Sequence, residues 1–184
     1  MKRSMDLLLS LGALIVLSPL MALAAVAIAA ESGGPVLFRQ TRLGLGGREF
    51  AMLKFRSMVR NAAAIGPYHT ASDDPRITRV GRLIRCTSID ELPQLLNVLK
   101  GDMSLVGPRP DVPAQRGLYT DEEWALRCSV RPGITGLAQA ELRSEGTLAQ
   151  RTALDLRYAS EHSCWLDIKI MAGTLKLLGG HKSN

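Results

Sequence analysis

The chain has 184 residues, 46% of them hydrophobic, with 23 Lys and Arg against 17 Asp and Glu. That is enough for one domain with a real core, and the apolar fraction excludes a disordered chain. A net charge of +6 points to an acidic partner such as nucleic acid, anionic lipid or a phosphorylated small molecule, while 4% aromatics argues against a single-strand nucleic-acid binder built on stacking.

The charge is uneven. Residues 1–60 hold eight Lys and Arg against Asp6, Glu31 and Glu49, a local +5, and the remaining 124 residues are close to neutral. Cys86, Cys128 and Cys164 are odd in number, far apart and without a C-x-x-C, so neither a disulfide framework nor a zinc ribbon is indicated. A reduced, cytosol-facing compartment is the simpler reading.

Leu7 to Ala30 is a 24-residue run without a charge. As a helix it is ~36 Å long, enough to cross a hydrocarbon core of ~30 Å. Three readings compete. A cleaved signal peptide would use Lys2-Arg3 as its basic start and Ala27-Ile28-Ala29 as its cleavage site, but the run is long for that. A plain span would put Lys2-Arg3 inside and everything after Glu31 outside. However, residues 32–60 carry six Lys and Arg against one acid, which favours keeping both flanks in the cytoplasm. A helix broken at Ser18-Pro19 satisfies both flanks by entering one leaflet and returning, because Pro removes an amide donor and clashes with the preceding turn. Pro is also tolerated in ordinary membrane helices, so span and hairpin both stand on residue physics alone.

Next, two apolar-alternating runs around Phe38 and around Phe50 and Phe55 flank Gly44-Leu45-Gly46-Gly47 and predict a β-hairpin. No G-K-[ST] follows the glycines, so a P-loop is absent. Asp73-Asp74-Pro75-Arg76 predicts a turn into a helix on which Arg76, Arg79, Arg82 and Arg85 recur at spacing three. Such a stripe is either a solvated face or an anion-facing surface.

Ser88-Ile89-Asp90-Glu91 has the form of a capping box for a helix with a Leu92, Leu95, Leu96 and Leu99 stripe, ended by Gly101. On that reading Asp90 and Glu91 are first-turn acids that favour the helix dipole. Asp102 to Pro110 reads as a rigid loop in which Arg109 is held between two prolines, and Arg131 to Gly136 as a second tight turn. Residues 147–160 predict an amphipathic helix carrying Asp155 and Tyr158. A last helix follows, with Trp165, Ile168, Met171 and Leu175 on a face that is core or an interfacial anchor, core being the commoner case.

His69, His162 and His181 form no H-E-x-x-H, so a zinc site is not indicated, and there is no G-x-S-x-G. What remains is a carboxylate pair amid arginines and Gly/Pro loops. Arginines clamp phosphate oxygens, a carboxylate can split one displacement into two steps, and Mg²⁺ takes carboxylate and phosphate oxygens. These residues point to phosphoryl transfer at a membrane surface. The rival is a non-catalytic, membrane-anchored protein that binds anions or lipid through its basic N-terminal third.

Several motifs carry a family resemblance. They are Lys2-Arg3 with Asp6, Ser18-Pro19, Gly34-Pro35 to Gly44, Lys54-Phe55-Arg56 with Met58, and Asp74-Pro75-Arg76 with Thr78. Then come Arg85 with Ser88 and Asp90-Glu91-Leu92-Pro93-Gln94, Asn97 to Gly107-Pro108-Arg109-Pro110, and Pro132-Gly133-Ile134-Thr135-Gly136 with Gln139. On these the chain resembles the bacterial sugar transferases, monotopic phosphoglycosyl transferases, over nearly its whole length.

The resemblance implies an α+β, predominantly helical chain. Its parts are a re-entrant membrane helix over residues 1–31, broken at Ser18-Pro19, and a cytosolic helical catalytic domain over 32–184 with a small β-hairpin. It implies that Asp90 attacks a UDP-sugar to give a covalent phosphosugar, which polyprenol (undecaprenyl) phosphate then takes, as the first membrane step of glycoconjugate assembly. Glu91 would help Asp90 hold Mg²⁺ or handle a proton. Arg85, Arg109 and Arg143 would bind phosphates, with Ser88 and Gln139 beside them. The expected partners are the two substrates and inner-membrane lipid on the cytoplasmic face, with no nucleic acid; a homo-oligomer is allowed. The family's Gly-Arg-Asn-like stretch is replaced here by Glu141-Leu142-Arg143-Ser144-Glu145, where donor recognition is expected. The long N-terminal extension of larger relatives is absent from these residues, which implies the small catalytic-core form.

Overall fold

A computed structural model describes residues 1–65, 74–142 and 146–179. Helix dominates. The first element, α1 (Lys2–Ser32), is a single 31-residue helix with Pro19 inside it. Helical backbone therefore continues on both sides of the expected break. A local reason is visible. Pro19 offers no N–H to the Ile15 carbonyl, and the Ser18 hydroxyl donates to that carbonyl instead, at 2.9 Å. Along its middle α1 leaves Leu8, Leu11, Ile15 and Val16 exposed, far more apolar surface than a folded core helix shows.

Both ends of α1 are bound to the rest of the molecule. Near its start, Lys2 pairs with Asp167 at 2.5 Å and Arg3 donates to the Val98 and Leu99 carbonyls. The buried Asp6 accepts from Ser104 Oγ at 2.9 Å and from the Leu105 N–H at 3.2 Å. Near its end, Ala24 and Ile28 pack on Phe55 and Ile84, and Glu31 accepts the Arg79 and Val80 amides.

The expected hairpin is present as β1 (Leu37–Leu43) and β2 (Glu49–Phe55), in antiparallel register from Leu37 opposite Phe55 to Leu43 opposite Glu49. Its turn places Gly46 and Gly47 at φ +64° and +72°, which only glycine adopts without strain. A short α2 (Ala62–Ile65) follows, then α3 (Arg79–Cys86), capped by the Thr78 side chain. The arginine stripe divides. Arg76 forms a buried pair with Asp74 at 2.6 Å, Arg79 and Arg82 face solvent, and Arg85 turns inward. Arg76 hydrogen bonds hold the Asp74 carboxyl down at about 2.

The helix expected from residue 88 begins later, as α4 (Gln94–Lys100) after Pro93, and Gly101 ends it at φ +98°. Its buried face is Gln94, Leu95, Asn97 and Val98 rather than the leucine stripe. Leu96 is exposed, because Asn97 commits the helix to β2. The Asn97 Oδ1 accepts the Leu53 N–H at 2.9 Å and its Nδ2 donates to the Ala51 carbonyl at 2.8 Å.

The segments read as a loop and a turn are instead two short strands, β3 (Ser104–Val106) and β4 (Gly133–Thr135), paired in parallel. Glycine made β4 look like a turn, but its purpose is close approach. A Cβ on Gly133 would overlap the Gly107 backbone, and one on Gly107 the Arg131 carbonyl. Between the strands lie a 3₁₀ segment (Pro113–Leu118) and α5 (Asp121–Arg127).

After β4 come α6 (Leu137–Leu142), α7 (Leu148–Glu161) and α8 (Cys164–Gly179). Val106, Leu137, Tyr158 and Ile170 form their shared core. The buried Tyr158 hydroxyl donates to Asp167 at 2.6 Å, the same carboxylate that receives Lys2. The α8 face expected in the core is turned out: Trp165, Ile168 and Leu175 are 65%, 46% and 69% exposed, and only Met171 packs inward. Asp167 and Ile170 take the inner face, because Asp167 must meet Lys2 and Tyr158. The three cysteines are unpaired.

The glycine contact yields a stability expectation. Gly133→Ala must push β4 off Gly107 and should cost ~3 kcal/mol, a melting temperature roughly 6–10 °C lower in detergent. Gly12→Ala, at a helical position with nothing within 4 Å, should leave the midpoint unchanged or raise it.

Candidate active site

Residues Ile89–Glu91 form one 3₁₀ turn between α3 and α4. Ser88 precedes it in the left-handed conformation, φ +56°, the sole non-glycine residue with positive φ among those described. The expected capping box does not form, since the Ser88 side chain caps nothing. Glu91 is drawn away by stronger partners: its Oε1 accepts from Lys54 Nζ at 2.7 Å and from Arg109 Nη2 at 2.9 Å. Charge-assisted bonds outweigh a neutral amide.

Asp90 and Glu91 are therefore unlike. Burial would raise the Glu91 carboxyl, but the Arg109 and Lys54 charges and hydrogen bonds overcome it and hold it at about 2. Asp90 is 8% exposed, and no described residue donates a hydrogen bond to its carboxylate. Burial pushes its pKa up, aided by the Glu91 charge, with Lys54, Arg85 and Arg109 pulling the other way. A raised pKa means a more basic, more nucleophilic carboxylate once ionised.

Around the pair lies a cleft of about 590 Å³. Its polar lining includes Lys54, Arg85, Ser88, Asp90, Glu91 and Arg109. Its apolar lining includes Leu95, Leu105, Ile134, Met171 and Leu175. Thr135, Gln139 and Thr174 sit among these residues, and Gln139 is tied by its amide to the Ile134 carbonyl at 3.2 Å. Arg85 arrives from the last turn of α3. Its Nη1 is shielded from solvent and has no hydrogen-bond acceptor among the described residues, an arrangement suited to an incoming anion.

The structure thus gathers Arg85, Ser88, Asp90, Glu91, Arg109 and Gln139 into one cleft. Arg143 lies outside the described residues. Ser18 and Pro19 lie in α1, not at the cleft. Lys54, named from sequence only within a family motif, and Met171 and Leu175, read there as a core or interfacial face, were not assigned to the site. A lysine at an inward position of a buried strand was the available signal for Lys54, and the two α8 residues had none. Among the described residues no three Asp, Glu, His or Cys cluster as a metal cage. The donors present, two adjacent carboxylates facing a cationic cleft, fit a Mg²⁺ ion that arrives with a diphosphate and needs only one or two protein oxygens.

An unbonded carboxylate beside a doubly clamped one, with three cations around the pair, is an arrangement suited to phosphorylated groups. The chain belongs to the bacterial sugar transferase family, whose model matches residues 1–180. It is 47% identical over 184 residues to the UDP-glucose:undecaprenyl-phosphate glucose-1-phosphate transferase of Caulobacter vibrioides, covering 96% of this chain and 69% of that protein. It is 48% identical over 186 residues to the undecaprenyl-phosphate glucose phosphotransferase of Komagataeibacter xylinus, covering 95% of this chain and 35% of that one. The namesake of the Caulobacter protein in Escherichia coli is 42% identical over 180 residues, 93% of this chain and 38% of its own length. The chain therefore spans little more than a third of two of these relatives.

The clamp on Glu91 predicts a pH signature. Its pKa in the folded protein lies below its ordinary value, so its ionisation favours folding above about pH 4.5 and that contribution is lost as pH falls toward 2. The melting temperature of wild type minus that of Glu91→Gln should be level above about pH 5 and shrink steadily from about pH 4.5 to pH 3. A constant gap would mean the clamp is electrostatically idle.

Proposed function

We propose that the protein transfers a phosphosugar from a UDP-sugar to polyprenol phosphate at the cytoplasmic face of the inner membrane, making the lipid-linked sugar that starts a glycoconjugate. The observation that carries this reading is the contrast between Asp90, buried and unbonded, and Glu91, held by Lys54 and Arg109.

An Asp90 oxygen attacks the sugar-bearing phosphorus. The bond from that phosphorus to the bridging oxygen breaks, its electron pair leaves with UMP, and a phosphosugar ester remains on Asp90. A phosphate oxygen of the polyprenol phosphate then attacks the same phosphorus and restores the Asp90 carboxylate. Arg85, through its unpaired Nη1, and Arg109 stabilise charge on the transferring group. Asp90 and Glu91 would hold a Mg²⁺ ion, which would supply charge neutralisation for the diphosphate. A carboxyl held at about 2 is a poor proton acceptor, and a phosphomonoester is largely dianionic at pH 7, so the share of Glu91 is electrostatic rather than basic. The apolar lining of the cleft suits the first units of a prenyl chain. Relatives bearing UDP-glucose in their names make UDP-glucose the first donor to try.

The two tethers of α1 support the proposed membrane arrangement. A plain span would put Lys2, Arg3 and Asp6 across the bilayer from the catalytic domain, yet they bind Asp167, Val98 and Ser104 of the domain that also binds Glu31. Both ends on one side, with the apolar middle exposed, support a helix that dips into one leaflet and bends near Ser18-Pro19. The outward Trp165, Ile168 and Leu175 of α8 support a second contact with the interface.

Purified protein incubated with UDP-glucose, then with other UDP-sugars, and Mg²⁺ should gain the mass of a phosphosugar and release UMP. Asp90→Asn should do neither. Absence of adduct and of UMP with every donor would sink the two-step mechanism. Separately, a cysteine placed at residue 2 or residue 40 should resist an impermeant thiol reagent in intact cells and react after lysis. Labelling from outside at either position refutes the re-entrant arrangement.

A further inference from the structure

Arg109 sits between Pro108 and Pro110, neither of which has an amide hydrogen, so the segment cannot brace itself. Every carbonyl from 108 to 111 is instead held from outside. Pro108 accepts the Gly133 N–H at 2.9 Å, and Arg109 accepts Arg127 Nη2 at 2.7 Å. Pro110 accepts Arg42 Nη1 at 2.8 Å, and Asp111 accepts the Leu43 N–H at 2.8 Å. Two of these four donors are arginine side chains reaching in from β1 and α5.

Arg127 is the unusual one. It is 6% exposed, pairs with Asp111 at 2.5 Å and with Asp155 of α7 at 3.0 Å, and lies over the Tyr119 ring at 5.2 Å. Burying one cation and two acids is expensive, and an apolar filling of equal volume is often at least as stable. The cost shows in the acids. Burial pushes Asp155 up to about 6 and raises Asp111, both against the pull of Arg127. Arg151 faces Asp155 from its own helix and Arg42 faces Asp111. A network this costly, bonded to the backbone of the residue that clamps Glu91, is placed to orient that residue.

We propose that Arg127, held by Asp111 and Asp155, is a positioning residue that fixes the backbone of Arg109 and thereby aims its guanidinium at Glu91 and the transferring phosphate. The inference deepens the function proposed above and rests on it for its kinetic readout. The chain of contacts is short: Asp155 to Arg127, Arg127 to the Arg109 carbonyl, Arg109 to Glu91 at 2.9 Å. Misplacing a charged group by about 1 Å at a reacting centre can cost on the order of a hundredfold in rate.

The test is a double-mutant cycle on full-length protein in detergent, reading UMP release from UDP-glucose, UDP binding by calorimetry and thermal melting. Arg127→Lys should lower kcat at least roughly tenfold, while UDP affinity moves less than about threefold. In an Arg109→Gln background the same change should cost no more than about twofold, because the residue it acts through is gone. Equal losses in both backgrounds would show that Arg127 merely braces α5 against α7, and would overturn the inference. If Arg127→Lys fails to melt cooperatively, Asp155→Asn and Arg42→Lys replace it in the cycle with the same expectations. Should wild type neither bind UDP nor release UMP, the enzymatic reading fails, and the inference is decided by crystallography. The contact between Arg109 and Glu91 should open in the Asp155→Asn protein, and an unchanged contact refutes the proposal.

Discussion

Glu91 receives a lysine from the hairpin and an arginine from the loop after β3, and this three-body contact joins the parts of the fold that make the cleft. Arg109 is a half-exposed charge that alone would have little energetic value, and Lys54 is largely covered. Together on one carboxylate they offset its desolvation and set its pKa at about 2. The consequence falls on the neighbour. With Lys54 and Arg109 engaged by Glu91, Asp90 keeps their field without their hydrogen bonds, and burial raises its basicity. One pair of adjacent acids thus divides into a clamped charge and an unbonded carboxylate, a separation made by environment rather than by residue type.

The same economy of contacts ties the membrane helix to the chemistry. Asp6 of α1 binds Ser104 and the Leu105 amide, both on β3, and Lys2 bonds to the Val106 carbonyl at 3.2 Å. β3 runs directly into Gly107-Pro108-Arg109-Pro110. The residues that anchor the start of α1 and the arginine that clamps Glu91 are therefore a few positions apart in the chain. At the other end of α1, Ile28 packs on Phe55, the residue after Lys54. Each cation on Glu91 lies close in sequence to a residue that contacts α1, so α1 and the cleft share the same supporting segments.

Much of this was legible in sequence where a feature is local. The hairpin showed in alternation and in Gly46 and Gly47, and the end of α4 in Gly101. What stayed hidden was decided by distant partners. Ser88 and Glu91 have the spacing of a capping box, but Lys54, thirty-seven positions upstream of Glu91, claims the carboxylate. The leucine stripe of α4 lost to Asn97, whose amide pairs with β2. Trp165, Ile168 and Leu175 have the spacing of a core face, but the carboxylate of Asp167 has to reach Lys2 and Tyr158, and that rotates α8. Local periodicity names a face; a buried ion pair decides which way it turns.

The parallel β3–β4 contact shows why a fold this small can still hold an arginine rigidly. Strands of three residues contribute few hydrogen bonds, and the pairing survives because glycines let the two backbones meet almost without a gap. Gly136 extends the arrangement, since a Cβ there would overlap the Gly107 carbonyl oxygen. Glycine is usually the flexible choice, yet here its missing side chain removes freedom by allowing backbone to lock on backbone. The prolines on either side of Arg109 complete the restriction by fixing φ where no amide is available to brace the chain. The side chain that clamps Glu91 is thus mounted on a backbone restricted by glycine contacts on one side and by prolines on both.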